Sequence, residues 1–274
     1  MTQTAPTPHK PDPDRASHEG LRRTSLVRAG EVTEHISLEL VEASEGAVLE
    51  FPPGSERLAV ILSGRARADI AGRAAGTAGG RDDVFDAAGD ALYLPETAGG
   101  SLVAEGGVLS VALASCRAGS LPPGPARLIR ARDQRIATVG SDTWRRTVRT
   151  ILGPDDAASR LLVGETINGP GLWSSYPPHR HDRESDDEVR LEEVYLFRLH
   201  PANGFGVQVR YVSDAEQETR MVRDGDVAVI TTGYHPVVAA PGYELYYLWV
   251  MAGEGRVMRP HFDPRYTWVE GQGR

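Results

Sequence analysis

Cysteine and lysine are almost missing from this chain: among 274 residues there is one of each, Cys116 and Lys10. A lone thiol excludes an internal disulfide and any paired-cysteine metal or redox motif. A single lysine, placed near the N-terminus, excludes Schiff-base catalysis by a lysine of the folded part. No run of about 18 apolar residues exists to span a bilayer, and the first twenty residues lack the apolar stretch of a secretory signal. A cytoplasmic location is therefore expected. Positive charge is in deficit, with 30 Lys plus Arg against 38 Asp plus Glu and a net charge of −8. That balance argues against nucleic acid or an anionic membrane as partner and leaves a small molecule. Convincing amphipathic helices of ten or more residues are also lacking.

What is present is turn-rich β sequence, with 30 glycines and 19 prolines. Residues 1–24 are polar and Pro-rich and read as a flexible tail. Leu58, Val60 and Leu62 alternate, Ser63-Gly64 reads as a hairpin turn, and Ala66, Ala68 and Ile70 resume the alternation. Short apolar runs follow at Val84-Phe85, Ala91 to Leu94 and Val108 to Cys116. Leu121 to Pro125 is the best linker. Beyond it, Phe205, Val207, Val209 and Tyr211 alternate with Gly206, Gln208 and Arg210 as a half-buried strand should. Strands recurring every 8–12 residues or so predict an all-β sandwich or barrel in each half, 25–125 and 126–274.

The chemistry-bearing residues cluster in the second half. Side chains two apart on a strand share a face, so His179 and His181 in Pro177-Pro178-His179-Arg180-His181 project together. Glu192-Glu193-Val194-Tyr195 opens the next apolar run, and His235 follows Thr231-Thr232-Gly233-Tyr234. Imidazole and carboxylate suit Zn, Mn, Fe, Ni or Co, and a thiolate-free site is more often catalytic than structural.

The order His-x-His, Glu, His resembles the cupins. Here eleven residues, containing the acidic insertion Asp182 to Leu191, separate His181 from Glu193, and Thr231 stands where the second cupin motif has Pro. The segments Trp173 to Asp182, Glu192 to Tyr195, Gly233 to Val237, Pro241 to Tyr247 and Met251 to Gly253 resemble one branch, the 5-deoxy-glucuronate isomerase family of inositol catabolism. Gly80 to Phe85 and Leu92 to Pro95 extend the resemblance into the first half. It implies a bicupin, two tandem double-stranded β-helix (jelly-roll) barrels, with one divalent ion, Zn or Mn, on His179, His181, Glu193 and His235 of the second. The first half, with His35 and no His-x-His, is expected to be metal-free.

The implied reaction is an aldose–ketose isomerisation of a uronate by a homo-oligomeric enzyme. Glu192, Tyr195 and Tyr246, with Tyr247, are candidates to move the proton. Arg180, Arg198 and Arg210 are candidates for the substrate carboxylate, although strand parity turns Arg198 away from Glu193. Trp249, where the family usually has Asn, resembles the sister 4-deoxy-L-threo-5-hexosulose-uronate ketol-isomerases of pectin breakdown. That activity, and a non-catalytic sugar sensor, are the alternatives.

Overall fold

The computed structural model describes residues 17–18 and 20–272, so residues 1–16 of the tail expected over residues 1–24, with His9 and Lys10, lie outside it. Residues 21–24, assigned to that tail, instead belong to the strand Leu21–Val27, which pairs with Ser37–Ala43. Arg22, Arg23 and Thr24 interrupt its apolar pattern, so the pairing was hidden from composition. Among the described residues there is no α-helix, and strands joined by turns and three short 3-10 segments make up the regular structure.

Local sequence explains the long strands. Leu58, Val60, Ile61 and Leu62 are buried, as are Ala66 and Ala68, in one strand, Glu56–Ile70. The expected Ser63-Gly64 hairpin is a bend inside that strand, with register shifts on both sides of Ser63. Gly64 has φ +87°, and a Cβ there would meet Val108 O at 2.4 Å, so the bend requires glycine. Val84-Phe85 is a turn rather than a strand, and the Val84 carbonyl accepts from Arg149.

The strands of the first half form one sheet, ordered Ser17–His18, Leu21–Val27, Ser37–Ala43, Gly100–Cys116, Glu56–Ile70, Ala91–Leu94, Arg127–Ile129. Arg127–Ile129 pairs with Ala91–Leu94, which carries the first half past the expected boundary at 125/126. In the second half the order is Arg135–Val139, Arg146–Leu152, Leu162–Asn168, Glu244–Ala252, Glu192–His200, Val227–Ile230. A four-stranded sheet lies opposite it, ordered Trp173–Ser174, Val237–Ala239, Gly206–Tyr211, Gln217–Val222. The whole is an all-β bicupin.

Parity along two central strands divides the core. Tyr246, Leu248 and Val250, with Val194 and Leu196, pack against Leu58, Val60, Ala112 and Ala114 of the first half. Tyr247, Trp249 and Met251, with Tyr195 and Phe197, face the interior of the second barrel. Both faces are buried, so these strands read as continuous apolar runs. In Gly206–Tyr211 the expected faces are reversed at the start, where Gly206 and Gln208 are buried and Val207 and Val209 half-exposed, while Tyr211 is buried as expected; Leu245 fills the space a Cβ on Gly206 would need.

Candidate metal centre

His179 lies on the short strand His179–Arg180, which pairs with His261–Phe262; His181 follows it, and His235 ends the turn after Val227–Ile230. One nitrogen from each of these three imidazoles falls within 4.8 Å of the others. Glu193 Oε2 stands 3.2 Å from His181 Nε2 and 3.3 Å from His235 Nε2. The four residues expected to act together are therefore brought together, His181, Glu193 and His235 buried and His179 half-buried.

The supports of the histidines decide which nitrogens face inward. His181 Nδ1 donates to Leu191 O at 2.7 Å, and His235 Nδ1 donates to Gly233 O at 2.9 Å. A carbonyl only accepts, so each Nδ1 carries hydrogen and each neutral ring turns an Nε2 lone pair toward the Glu193 carboxylate. Facing lone pairs require a positive charge between them. His235 Nε2, buried, has no hydrogen-bond partner among the described residues. Three imidazoles, a carboxylate and an orphaned inward nitrogen fit a divalent ion of the borderline class.

The acidic insertion does not disturb this geometry, because its neck is closed. Leu191 N donates to His181 O at 2.8 Å while the His181 ring returns a bond to Leu191 O. The insertion reads from sequence as a solvated loop, yet Glu188 is buried and accepts from the backbone N–H of Asp182 and Arg183 and from Arg180 Nε. Asp182 accepts from Gly233 N at 2.6 Å, tying the His-x-His segment to the turn that carries His235.

Electrostatics favour the ligating forms of Glu193 and His179. Burial raises the Glu193 carboxyl, but the two imidazoles more than reverse this and hold it at about 2. Burial, with the fields of His235 and His181, drives His179 well below the usual histidine value. Burial lowers His181 too, yet its bond to Glu193 leaves it raised. Burial and the Glu193 charge hold the Tyr195 phenol well above its usual value.

These residues open into a cavity of about 140 Å³, walled by Tyr195, Tyr247, Trp249, Met251, Ser175 and Arg146. Tyr195 Oη lies 3.0 Å from Ser175 Oγ, and Tyr247 Oη donates to Ser174 Oγ at 3.0 Å. The Tyr195 and Tyr247 rings are 4.3 Å apart. Ser175 holds φ +49°, a strained backbone that aims its hydroxyl at Tyr195.

Two expected catalytic residues are elsewhere. Glu192 alternates away from Glu193, and its carboxylate accepts from the backbone N–H of Glu34, His35 and Ile36 in the first half, each at 2.7 Å. Tyr246 points into the core between the halves and donates to Glu165 at 3.1 Å. Tyr195 does line the cavity. Sequence reasoning missed Ser175, which sits in the bend four residues before His179, and Arg146, which reaches the site through sheet pairing rather than through proximity to the histidine motifs.

Residues 13–269 match the KduI/IolB family. A curated 5-deoxy-glucuronate isomerase of Geobacillus kaustophilus (strain HTA426) is 36% identical over 240 residues, covering 86% of each chain. Among solved structures, an IolB-like protein from Salmonella typhimurium LT2 superposes with a TM-score of 0.84 at 29% identity, covering 93% of this chain and 97% of that one. An oxalate decarboxylase of Lactobacillus farciminis shares the fold at a TM-score of 0.71 and 14% identity, over 95% of this chain and 90% of that one.

Proposed function

The chain belongs to the KduI/IolB family, and from that premise we propose that it is a metal-dependent aldose–ketose isomerase converting 5-deoxy-D-glucuronate to 5-dehydro-2-deoxy-D-gluconate. The observation that carries the reading is the meeting of His181 and His235 Nε2 at Glu193 Oε2, with His179 beside them, on the wall of a cavity lined by hydroxyls. A zinc or manganese ion held by His179, His181, Glu193 and His235 would supply Lewis-acid stabilisation of the negative charge that develops on the sugar's oxygens.

The chain's own residues do the rest. A hydrogen beside the sugar carbonyl must leave one carbon and return to its neighbour, and a positioned group contributes roughly 10²–10⁴-fold to such a transfer. Tyr195 has that role: of the four residues first considered for it, Glu192 and Tyr246 are turned to other partners and Tyr247 donates its hydroxyl to Ser174. Ser175 holds the phenol oxygen in place, and Tyr247, anchored on Ser174, packs its ring against it. Trp249, Met251 and Leu191 supply apolar wall that excludes water from the reacting carbons.

The substrate is a small uronate, and the reaction belongs to cytoplasmic inositol catabolism carried out by a homo-oligomer of this chain. The names of the curated relatives favour this activity over the pectin-pathway ketol-isomerase suggested by Trp249. Metal-loaded protein incubated with 5-deoxy-D-glucuronate is expected to form the ketone, followed by NMR, faster than it isomerises 4-deoxy-L-threo-5-hexosulose uronate. No ketone from the first substrate, with metal confirmed, removes the reading.

A further inference from the structure

Resting on the isomerase reading, we propose that Arg146 is the anchor for the substrate's carboxylate. The arginines nearest the sequence motifs are engaged elsewhere. Arg180 Nε lies 3.0 Å from Glu188 with its guanidinium over the Tyr234 ring, Arg198 pairs with Asp224 at 3.5 Å, and Arg210 donates to Thr232. Arg146 opens the strand Arg146–Leu152 and enters the same cavity as His179, Glu193, Tyr195 and Tyr247.

Its surroundings describe an unfinished ion pair. Nη1 donates to the carbonyls of Trp144 at 3.3 Å and Tyr176 at 3.0 Å, and the guanidinium sits 5.8 Å from the centre of the Trp144 ring. Among the described residues Nε and Nη2 have no partner, and no carboxylate pairs with this side chain. Arg146 is half-buried, and the buried arginines each either pair with a carboxylate or donate from Nε, Nη1 and Nη2 to carbonyls. Arg81 and Arg149 share Glu165, Arg160 pairs with Glu254, and Arg256 donates to the carbonyls of Leu161, Asp156 and Gly153.

Burial pulls the Arg146 pKa below the usual arginine value, as expected for a desolvated cation without a counter-charge. Such a group costs stability unless something negative completes it. The vacant Nε–Nη2 edge is the planar fork that binds a carboxylate through two parallel hydrogen bonds. A uronate bound with its carbonyl end at the histidines and its acid end on this fork would be held at both ends, which fixes the reacting carbons between them.

The test uses the full chain with metal loaded. Titration calorimetry compares D-glucuronate with D-glucose, which differ at C6 by a carboxylate against a hydroxymethyl group. Turnover is followed on 5-deoxy-D-glucuronate. The wild-type protein is expected to prefer the acid. Arg146→Met should weaken D-glucuronate binding and kcat/KM on the uronate by roughly 10- to 100-fold, mostly through KM, the size expected for a lost charged hydrogen-bonding pair. Its binding of D-glucose and its metal content should be unchanged, and any fall in melting temperature should be no larger than the loss of its bonds to the Trp144 and Tyr176 carbonyls accounts for. Arg146→Lys should retain part of the acid preference.

A structural Arg146 gives a lower melting temperature with the acid preference intact. That result, or a wild-type protein with no preference for the acid, overturns the proposal. The two readings fail separately. A wild-type protein that prefers glucuronate through Arg146 but forms no ketone loses the isomerase and keeps the anchor. One that isomerises while Arg146→Met retains its KM loses the anchor and keeps the isomerase.

Discussion

Glu56 and Glu192 are equivalent residues of the two halves, and each reaches into the other half. Glu56 begins the strand Glu56–Ile70 and pairs with Cys116, the last residue of its neighbour; Glu192 begins Glu192–His200 and pairs with Ala252, likewise the last. The Glu56 carboxylate accepts from the backbone N–H of Ser159, Arg160 and Leu161, and the Glu192 carboxylate from those of Glu34, His35 and Ile36. Tyr93 and Cys116 also donate to Glu56. Burial, with the Glu56 charge, drives the Cys116 thiol far above its usual pKa, so the lone cysteine is inert.

Glu192→Ala is accordingly a stability variant. It should lose about 1–3 kcal/mol, the cost of leaving three backbone donors, partly shielded from water, without their charged acceptor, and keep its metal content and a kcat within a few-fold of wild type. Thermal melts, metal analysis and steady-state kinetics check this. A kcat reduced by orders of magnitude at unchanged melting temperature would return Glu192 to the catalytic site.

The tyrosines separate in the same way. Tyr195→Phe should lower kcat roughly 10²-fold or more with little change in stability, because it deletes the group placed to move the proton. Tyr246→Phe should leave kcat within a few-fold and cost about 1 kcal/mol, because Glu165, shared by Arg81 and Arg149, loses one donor. Parallel kinetics and melts on both variants make the comparison.

Gly164 faces Trp249 across two paired strands, and a Cβ there would come 2.2 Å from Trp249 Cζ2 and 2.5 Å from Arg149 O. Gly164→Ala should therefore push the indole off the cavity wall. A destabilisation of about 1–3 kcal/mol is expected for such overpacking, together with a raised KM and a shift in tryptophan emission.

Asp263, whose backbone N–H donates to Pro178 O beside His179, gives an acid-side pH dependence through a carboxyl that is not itself a ligand. Burial raises its carboxyl, but bonds from Arg265 and from Tyr211 Oη at 2.6 Å more than offset this and leave it lowered. A carboxyl held lower in the folded than in the unfolded chain stabilises the fold above the unfolded value of roughly 4, and this contribution is lost as pH falls through the folded value. Asp263→Asn should lower the melting temperature at pH 7 and flatten its decline between pH 5 and 3, as melts across that range would show.

Much of the site was legible from sequence because a strand repeats every two residues. His179 with His181, and Glu193 rather than Glu192, follow from that period and the family likeness. The same period places Tyr247, Trp249 and Met251 on the face opposite to Tyr246, so Tyr246 could have been set aside by counting back from Met251, which pairs with Glu193. Arg146 was not legible. It reaches the cavity because Arg146 pairs with Asn168 on the strand that next meets Leu245 to Met251, a relation between distant segments. The Ser63-Gly64 bend was misread as a turn because glycine with positive φ serves both, and only the partner strand distinguishes them.

The ion itself is the most direct measurement. Purified protein analysed by plasma mass spectrometry should hold one divalent metal ion per chain, and His179→Ala, His235→Ala and Glu193→Gln should each lose most of it while circular dichroism shows the β fold retained. Full metal occupancy in those folded variants, or none in the active wild-type protein, would contradict the account.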